Sequence, residues 1–270
     1  MLCLFLAAAL LFCGCTAGAA STSEPEVVGG STKRDAVRNS ELQFVWPADD
    51  AVFATLETSR GDIRLVLYPD IAPLAVENFC TLALLGYYDG TEFHRVMADF
   101  VIQGGDATGT GTGGASIWGA VYDTERTDLL HHYSGALCAA SVNGKSGTHN
   151  SQFYIVATPQ DGISEASLEA MRAAGMRDEV VEAYRQAGGA PYLDHTDTVF
   201  GQVVEGMDIV DRIAALAVDE ETQRPKNAVV IEKVTIENYP PAGFEKQRVN
   251  APPTSLPSGD DDTDGGDELG

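Results

Sequence analysis

Basic residues are scarce in this chain. Lysine and arginine together number 17 against 40 acidic residues, a formal net charge of −23 over 270 residues. So acidic a surface repels phosphate backbones, which excludes nucleic acid as a partner. Cysteine is also rare: of the five, Cys3, Cys13 and Cys15 sit at the N-terminus, leaving only Cys80 and Cys138 for a folded body. Two cysteines make no disulfide framework. Both stand among apolar or small residues, in "ENFCTLALL" and "YSGALCAAS", and are expected as buried free thiols. The strongly apolar run at residues 2–13 is short of the ~20 residues a membrane span needs. Signatures of covalent, metal and phosphate chemistry are missing as well. There is no G-x-S-x-G elbow and no H-E-x-x-H, and the run "GGDATGTGTGG" lacks the G-K-[ST] ending of a P-loop. His131 and His132 are adjacent and point apart on an extended chain.

What is present divides the chain into four parts. Residues 1–20, an apolar run followed by small residues, resemble a bacterial secretion signal. The "LFCGC" around Cys15 is similar to a lipobox, with Phe12 where leucine is usual. The expectation is a lipoprotein held to the bilayer through lipid on Cys15, in the bacterial cell envelope and facing the periplasm or the exterior. Residues 16–46 are rich in Ser, Thr, Gly and charge and are expected as a tether. Residues 243–270 end in "SGDDDTDGGDELG", an acidic tail with no apolar anchor. The folded domain is expected at 47–242.

Within that domain "AVFATLETSRGDIRLVLYPD" reads as two strands around "SRGD", because Ile63, Leu65 and Leu67 alternate with their neighbours. "IAPLAVENFCTLALLG" switches to helical spacing, with Pro73 in the first turn and Gly86 at the end. "TEFHRVMADFVIQGGD", "ALCAASV", "SQFYIVAT", "TVFGQVVEG" and "NAVVIEKVTIENY" read as further strands. "MDIVDRIAALAV" reads as a second helix, and 161–191 as an inserted helical hairpin or one broken helix. The irregular alternation, about eight strands with two framework helices, favours a mainly β barrel or sandwich over a doubly wound sheet.

The segments "FHRVMADFVIQGGD", "GTGG", "SVNGKSGTHNSQFYI" and "YLDHTDTVFGQVVEGMDIVDRI", in this order, resemble the signature segments of the cyclophilins, the cyclophilin-type peptidyl-prolyl cis-trans isomerases. The resemblance covers residues from about Val52 to Asn238. It implies a closed eight-stranded antiparallel β-barrel capped by two helices, binding of proline-containing polypeptide, and no cofactor. The residues set no oligomeric state, and a monomer is the default expectation. It places catalytic roles at Arg95 and Gln103, and a substrate groove at Phe100, Val101, Val142, Asn143, Gly144, Gln152, Tyr154, Tyr192, Leu193 and Asp197. Several of these depart from the usual family residue. Val101 replaces Met, Val142-Asn143-Gly144 replaces Ala-Asn-Ala, Tyr154 replaces Phe, Tyr192 replaces Trp, and Asp197 replaces a pocket histidine.

Elementary chemistry explains why such a set needs no nucleophile. Resonance gives the imide C–N bond partial double-bond character, and isomerisation faces a barrier of ~20 kcal/mol. In the twisted transition state that resonance is lost and the prolyl nitrogen gains a lone pair. A fixed guanidinium aimed there stabilises the twisted state more than the planar one. The expected function is therefore acceleration of X-Pro rotation during folding of exported or envelope proteins. The rival expectation is a non-catalytic module that binds Pro-containing segments or acts as a chaperone.

Overall fold

The computed structural model describes residues 40–239. Cys15, most of the tether and the acidic tail lie outside the described residues.

Strands β1 (Val52–Thr58) and β2 (Gly61–Leu67) form the expected hairpin, with Thr58 opposite Gly61. Gly61 has φ +121°, and a Cβ there would meet Ile209 Cδ1 at 2.7 Å, so the tight turn requires glycine. Helix α1 (Pro73–Leu84) follows, its proline in the first turn where no backbone donor is lost. Then come β3 (Thr91–Glu92), β4 (Arg95–Met97), β5 (Val101–Gly104), β6 (Ala136–Ser141) and β7 (His149–Val156). The insertion forms the helical hairpin α2 (Glu165–Ala173) and α3 (Asp178–Ala187), and β8 (Thr198–Glu205), α4 (Met207–Ala214) and β9 (Val230–Glu237) complete the chain.

The described strands form one antiparallel sheet in the order β3-β9-β1-β2-β8-β6-β7-β5-β4. This corrects the expectation of a closed eight-stranded barrel: the sheet is an open half-barrel of nine strands. The physical reason lies at Phe93–His94. The stretch 91–97 bends there, so β3 pairs only with β9 and β4 only with β5. Phe93 N donates to Val229 O and Val96 N to Gln223 O, outside any ladder. The two edges of the sheet are thus joined by the chain itself.

Side-chain alternation sorts the strands into two faces. Ile102, Leu137, Ala139, Phe153 and Ile155 point into the main core with Leu56, Leu65 and Phe200. The core is closed by Phe79 of α1 and Val210 and Ile213 of α4, and Phe79 meets Phe153 edge-on at 5.5 Å. Val101, Ala136, Cys138, Ala140, Tyr154 and Val156 point the other way into a second apolar layer with Leu130 and Val199. Strand β7 is buried on both faces: its second half, residues 153–156, is apolar, and the polar residues of its first half are buried and hydrogen-bonded. Cys80 and Cys138 are buried and free, as expected.

The end of the tether is corrected. Glu41–Phe44 is docked on the domain. Gln43 is buried, donating through Nε2 to His131 O and Gln202 Oε1 (both 2.9 Å) and accepting from His131 N at 2.7 Å. Glu41 takes a bidentate pair from Arg177 at 2.8 and 3.0 Å. Phe44 packs on Tyr133 at 4.9 Å and joins a separate cluster with Leu168, Met171, Val180, Val181 and Tyr184 of the hairpin. Glu41 and Gln43 read as loop in a polar stretch because their partners lie about ninety or more residues away in the chain.

Beneath the hairpin sits a buried carboxylate, Asp194. It accepts from His131 Nδ1, His132 Nδ1 and His132 N, each at 2.9 Å, and from the Tyr184 hydroxyl. Burial alone would push its carboxyl up. The hydrogen bonds from both histidines outweigh that and hold it well below the usual carboxylate range.

Candidate active site

On the outer face of β4, β5 and β7 the register sets Arg95 opposite Gln103, and Gln103 opposite Tyr154. Gln152 lies two positions before Tyr154 on the same face of β7. These pairings line up a guanidinium and two amides along the sheet. The β5–β7 pleat carries the apolar side chains that border them.

The amides form a directed chain. Gln152 Nε2 donates to Gly113 O at 2.8 Å and Gly111 O at 3.1 Å, so its Oε1 is left to accept. Gln103 Nε2 donates to that oxygen at 2.9 Å. Gln103 Oε1 in turn accepts from Arg95 Nη1 at 3.2 Å. A second amide oxygen, Gln223 Oε1, accepts from Arg95 Nε at 3.0 Å. Arg95 is half-buried, and loss of water moves its pKa down, though a guanidinium stays charged at any working pH.

The start of the chain is anchored by Asp106, which is fully buried at the root of the glycine run. Its carboxylate accepts from Thr108 N (2.9 Å), Thr108 Oγ1 (2.8 Å), Gly111 N (2.7 Å) and Gly113 N (3.1 Å). Burial raises its pKa, and these hydrogen bonds outweigh that to leave it below the ordinary value. At Gly113 a Cβ would come within 2.4 Å of Asp106 Oδ1, so the run must be glycine-rich to wrap one carboxylate. The sequence offered this segment as a phosphate loop and excluded it; the structure shows an internal anion already held there.

Arg95, Gln103 and Gln152 border a cleft of about 370 Å³ with Phe100, Val101, Tyr154 and Leu193. Val142 and Gly144 form part of the opposite rim, in a 3-10 turn over Val142–Gly144 that also carries the Asn143 backbone. Asp197 closes one edge: its carboxylate accepts from the Tyr154 hydroxyl at 3.0 Å and from Ser141 Oγ. Burial, reinforced by neighbouring negative groups, pushes the Tyr154 phenol well above its ordinary value, so it stays a neutral donor. Tyr192 lies outside the cleft wall. It is 70% exposed and stacks on Phe100 with centroids 6.1 Å apart. Thr112, Ala140, Ser141 and Asn150 also line the cleft, and Gln223 holds the guanidinium from behind. Sequence reasoning missed these. Only Gln223 had a local sign, the turn "DEETQRP", where Asp219 Oδ1 accepts from Thr222 N and Oγ1, both at 2.9 Å.

The half-barrel thus carries a cleft that sets a fixed cation beside an apolar hollow. A sequence model described as "Cyclophilin type peptidyl-prolyl cis-trans isomerase/CLD" matches residues 53–236, and the chain belongs to the cyclophilin-type peptidyl-prolyl cis-trans isomerase family. A curated relative from Staphylococcus epidermidis, provisionally named as a peptidyl-prolyl cis-trans isomerase, is 41% identical over 199 residues, spanning 74% of this chain and 96% of its own. One from Staphylococcus aureus is 41% identical over 182 residues, 67% of this chain and 90% of its own. Among solved structures, a Cryptosporidium parvum cyclophilin-type isomerase crystallised in the presence of the dipeptide Ala-Pro matches with TM-score 0.55 and 28% identity. That match covers 68% of this chain and 98% of the other.

Proposed function

We propose that this isomerase accelerates X-Pro rotation in exported polypeptides through donation from Arg95 to the prolyl nitrogen. The observation that carries the reading is the guanidinium held by two amide oxygens at the border of an apolar cleft. Phe100, Val101, Tyr154 and Leu193 seat the proline ring. The Val142–Gly144 turn lies where an extended peptide runs past the cleft, its backbone groups holding the residue before proline. Water leaves the cup as the ring enters, and the cation–lone-pair contact strengthens in the lower dielectric. Gln103 spends its carbonyl oxygen on Arg95, so its role is to position that residue. The Ala-Pro dipeptide named with the Cryptosporidium structure supports proline as the recognised residue.

Export and attachment through lipid on Cys15 are part of the same proposal, supported by the sequence of residues 1–20. The mass of the mature N-terminal peptide tests them: a diacylated Cys15 is expected, and an unmodified one sinks the anchor. For the reaction, the full chain is assayed on a proline-switch peptide. The wild type is expected to accelerate exchange, and Arg95→Ala to lose about 10²-fold in kcat/KM, the scale of removing one transition-state donor. A wild type that binds the peptide without accelerating exchange marks a binding module in place of an enzyme.

A further inference from the structure

Arginine carries five donors on a rigid planar fork. In Arg95 the Nε–H goes to Gln223 Oε1 at 3.0 Å, and one Nη1–H goes to Gln103 Oε1 at 3.2 Å. One anchor would leave the fork free to swing; two anchors on different nitrogens fix both its plane and its rotation. Among the described residues no group accepts from Nη2. We infer that Gln223 is a positioning residue for the isomerisation, and that its grip makes Nη2 the donor presented to the prolyl nitrogen.

The backbone around Gln223 carries the inference further. Gln223 has φ +59°, the left-handed region that glycine enters without penalty and glutamine does not. It is held there by its N–H to Asp219 O at 2.8 Å and by its own carbonyl, which accepts from Val96 N at 2.9 Å. That second bond ties the turn to β4 one residue after Arg95. A residue with a local backbone cost is therefore kept at a point of the turn from which its amide oxygen reaches the guanidinium. Costly backbone retained beside a reacting group is the pattern of a pre-organised site. The register sets Gln103 against Arg95 directly, but Gln223 comes from a loop 128 residues on, so the two anchors are independent.

The inference rests on the isomerase reading, and the test separates the two. In the full chain, Gln223→Gly relieves the backbone and removes the acceptor. Its melting temperature is expected to equal or exceed that of the wild type. Its kcat/KM is expected to fall about tenfold while peptide Kd is unchanged, the mark of a contact made in the transition state. Gln223→Met, similar in length but without the oxygen, is expected to lose as much. Gln223→Glu, which keeps an acceptor, is expected to stay within about threefold of wild type. The Arg95 Nε–H resonance, protected from exchange in the wild type and the Glu variant, is expected to vanish in the Gly variant. Full activity with a protected Nε–H in Gln223→Gly overturns the inference, as does an equal loss in the Glu and Gly variants. If the wild type has no turnover, the isomerase reading falls, and the Nε–H resonance alone decides whether Gln223 holds the fork.

Discussion

Two polar networks in this molecule use similar parts to opposite ends. At Asp194 a buried carboxylate is saturated: two imidazoles, a backbone N–H and a phenol all point at it, from the stretch before β6 and from α3. At Arg95 a half-buried cation is held at Nε and Nη1 by two amide oxygens, and its Nη2 faces no acceptor among the described residues. The filled carboxylate ties the inserted hairpin to the half-barrel and has no acceptor left to offer a ligand. The half-buried cation has a fixed donor to spare. Stability and chemistry thus differ by whether the central charged group has its hydrogen-bonding valences filled from inside the protein.

Substitutions in the first network should cost folding and spare turnover, and the reverse should hold in the second. The largest effect is expected from Asp194→Ala, which strands two histidines and a phenol in a dry site: a loss of about 3–5 kcal/mol in urea unfolding. Turnover per folded molecule should change little, and a mild loss of stability with abolished turnover would break the contrast. Phe44→Ala should cost about 3 kcal/mol by opening a cavity between the docked arm and the hairpin, again with kcat/KM near wild type. In the opposite direction, Arg95→Lys keeps the charge but loses the fork. A fall of about thirtyfold in kcat/KM, roughly 2 kcal/mol of transition-state stabilisation, is expected with an unchanged urea midpoint.

The smallest effect is that of mild acid. Burial depresses the pKa of His94 against the opposing pull of Asp106, and that of His149 against its backbone acceptor and Asp197. Each histidine is more readily protonated when unfolded, so their contribution is complete above about pH 6.5 and declines as pH falls toward their folded values. Asp194, depressed in the folded state, loses its contribution only below about pH 4, as pH falls toward its folded value. Urea midpoints at pH 7.5, 5.5 and 3.5 should therefore show two separate declines. A flat profile between the first two would remove the histidines from this account.

Much of this was legible in the chain. The β1–β2 hairpin declares itself by alternation, and α1 by Pro73 and its spacing. The cleft residues were legible as a resemblance, since each alone reads as ordinary core. The break at Phe93–His94 was not legible, because both residues suit a strand and only the competing bonds from Val229 and Gln223 bend the chain. The docked arm was hidden for a related reason: Glu41 and Gln43 look like linker residues until Arg177 and His131 arrive from far along the chain. Gln223 carried a turn signal, but nothing local connects a turn to a guanidinium on another strand. Long-range partners, rather than weak local propensity, account for what sequence could not supply.

The cleft occupies the outward side of β5 and β7, whereas Phe153 and Ile155, which hold the barrel together, face inward from the same strand. Neighbouring positions therefore answer to different masters. Val101 and Tyr154 line the cleft and also pack in the second apolar layer, so a change there reshapes the cleft together with that layer while the inner core around Phe153 and Ile155 keeps its own contacts.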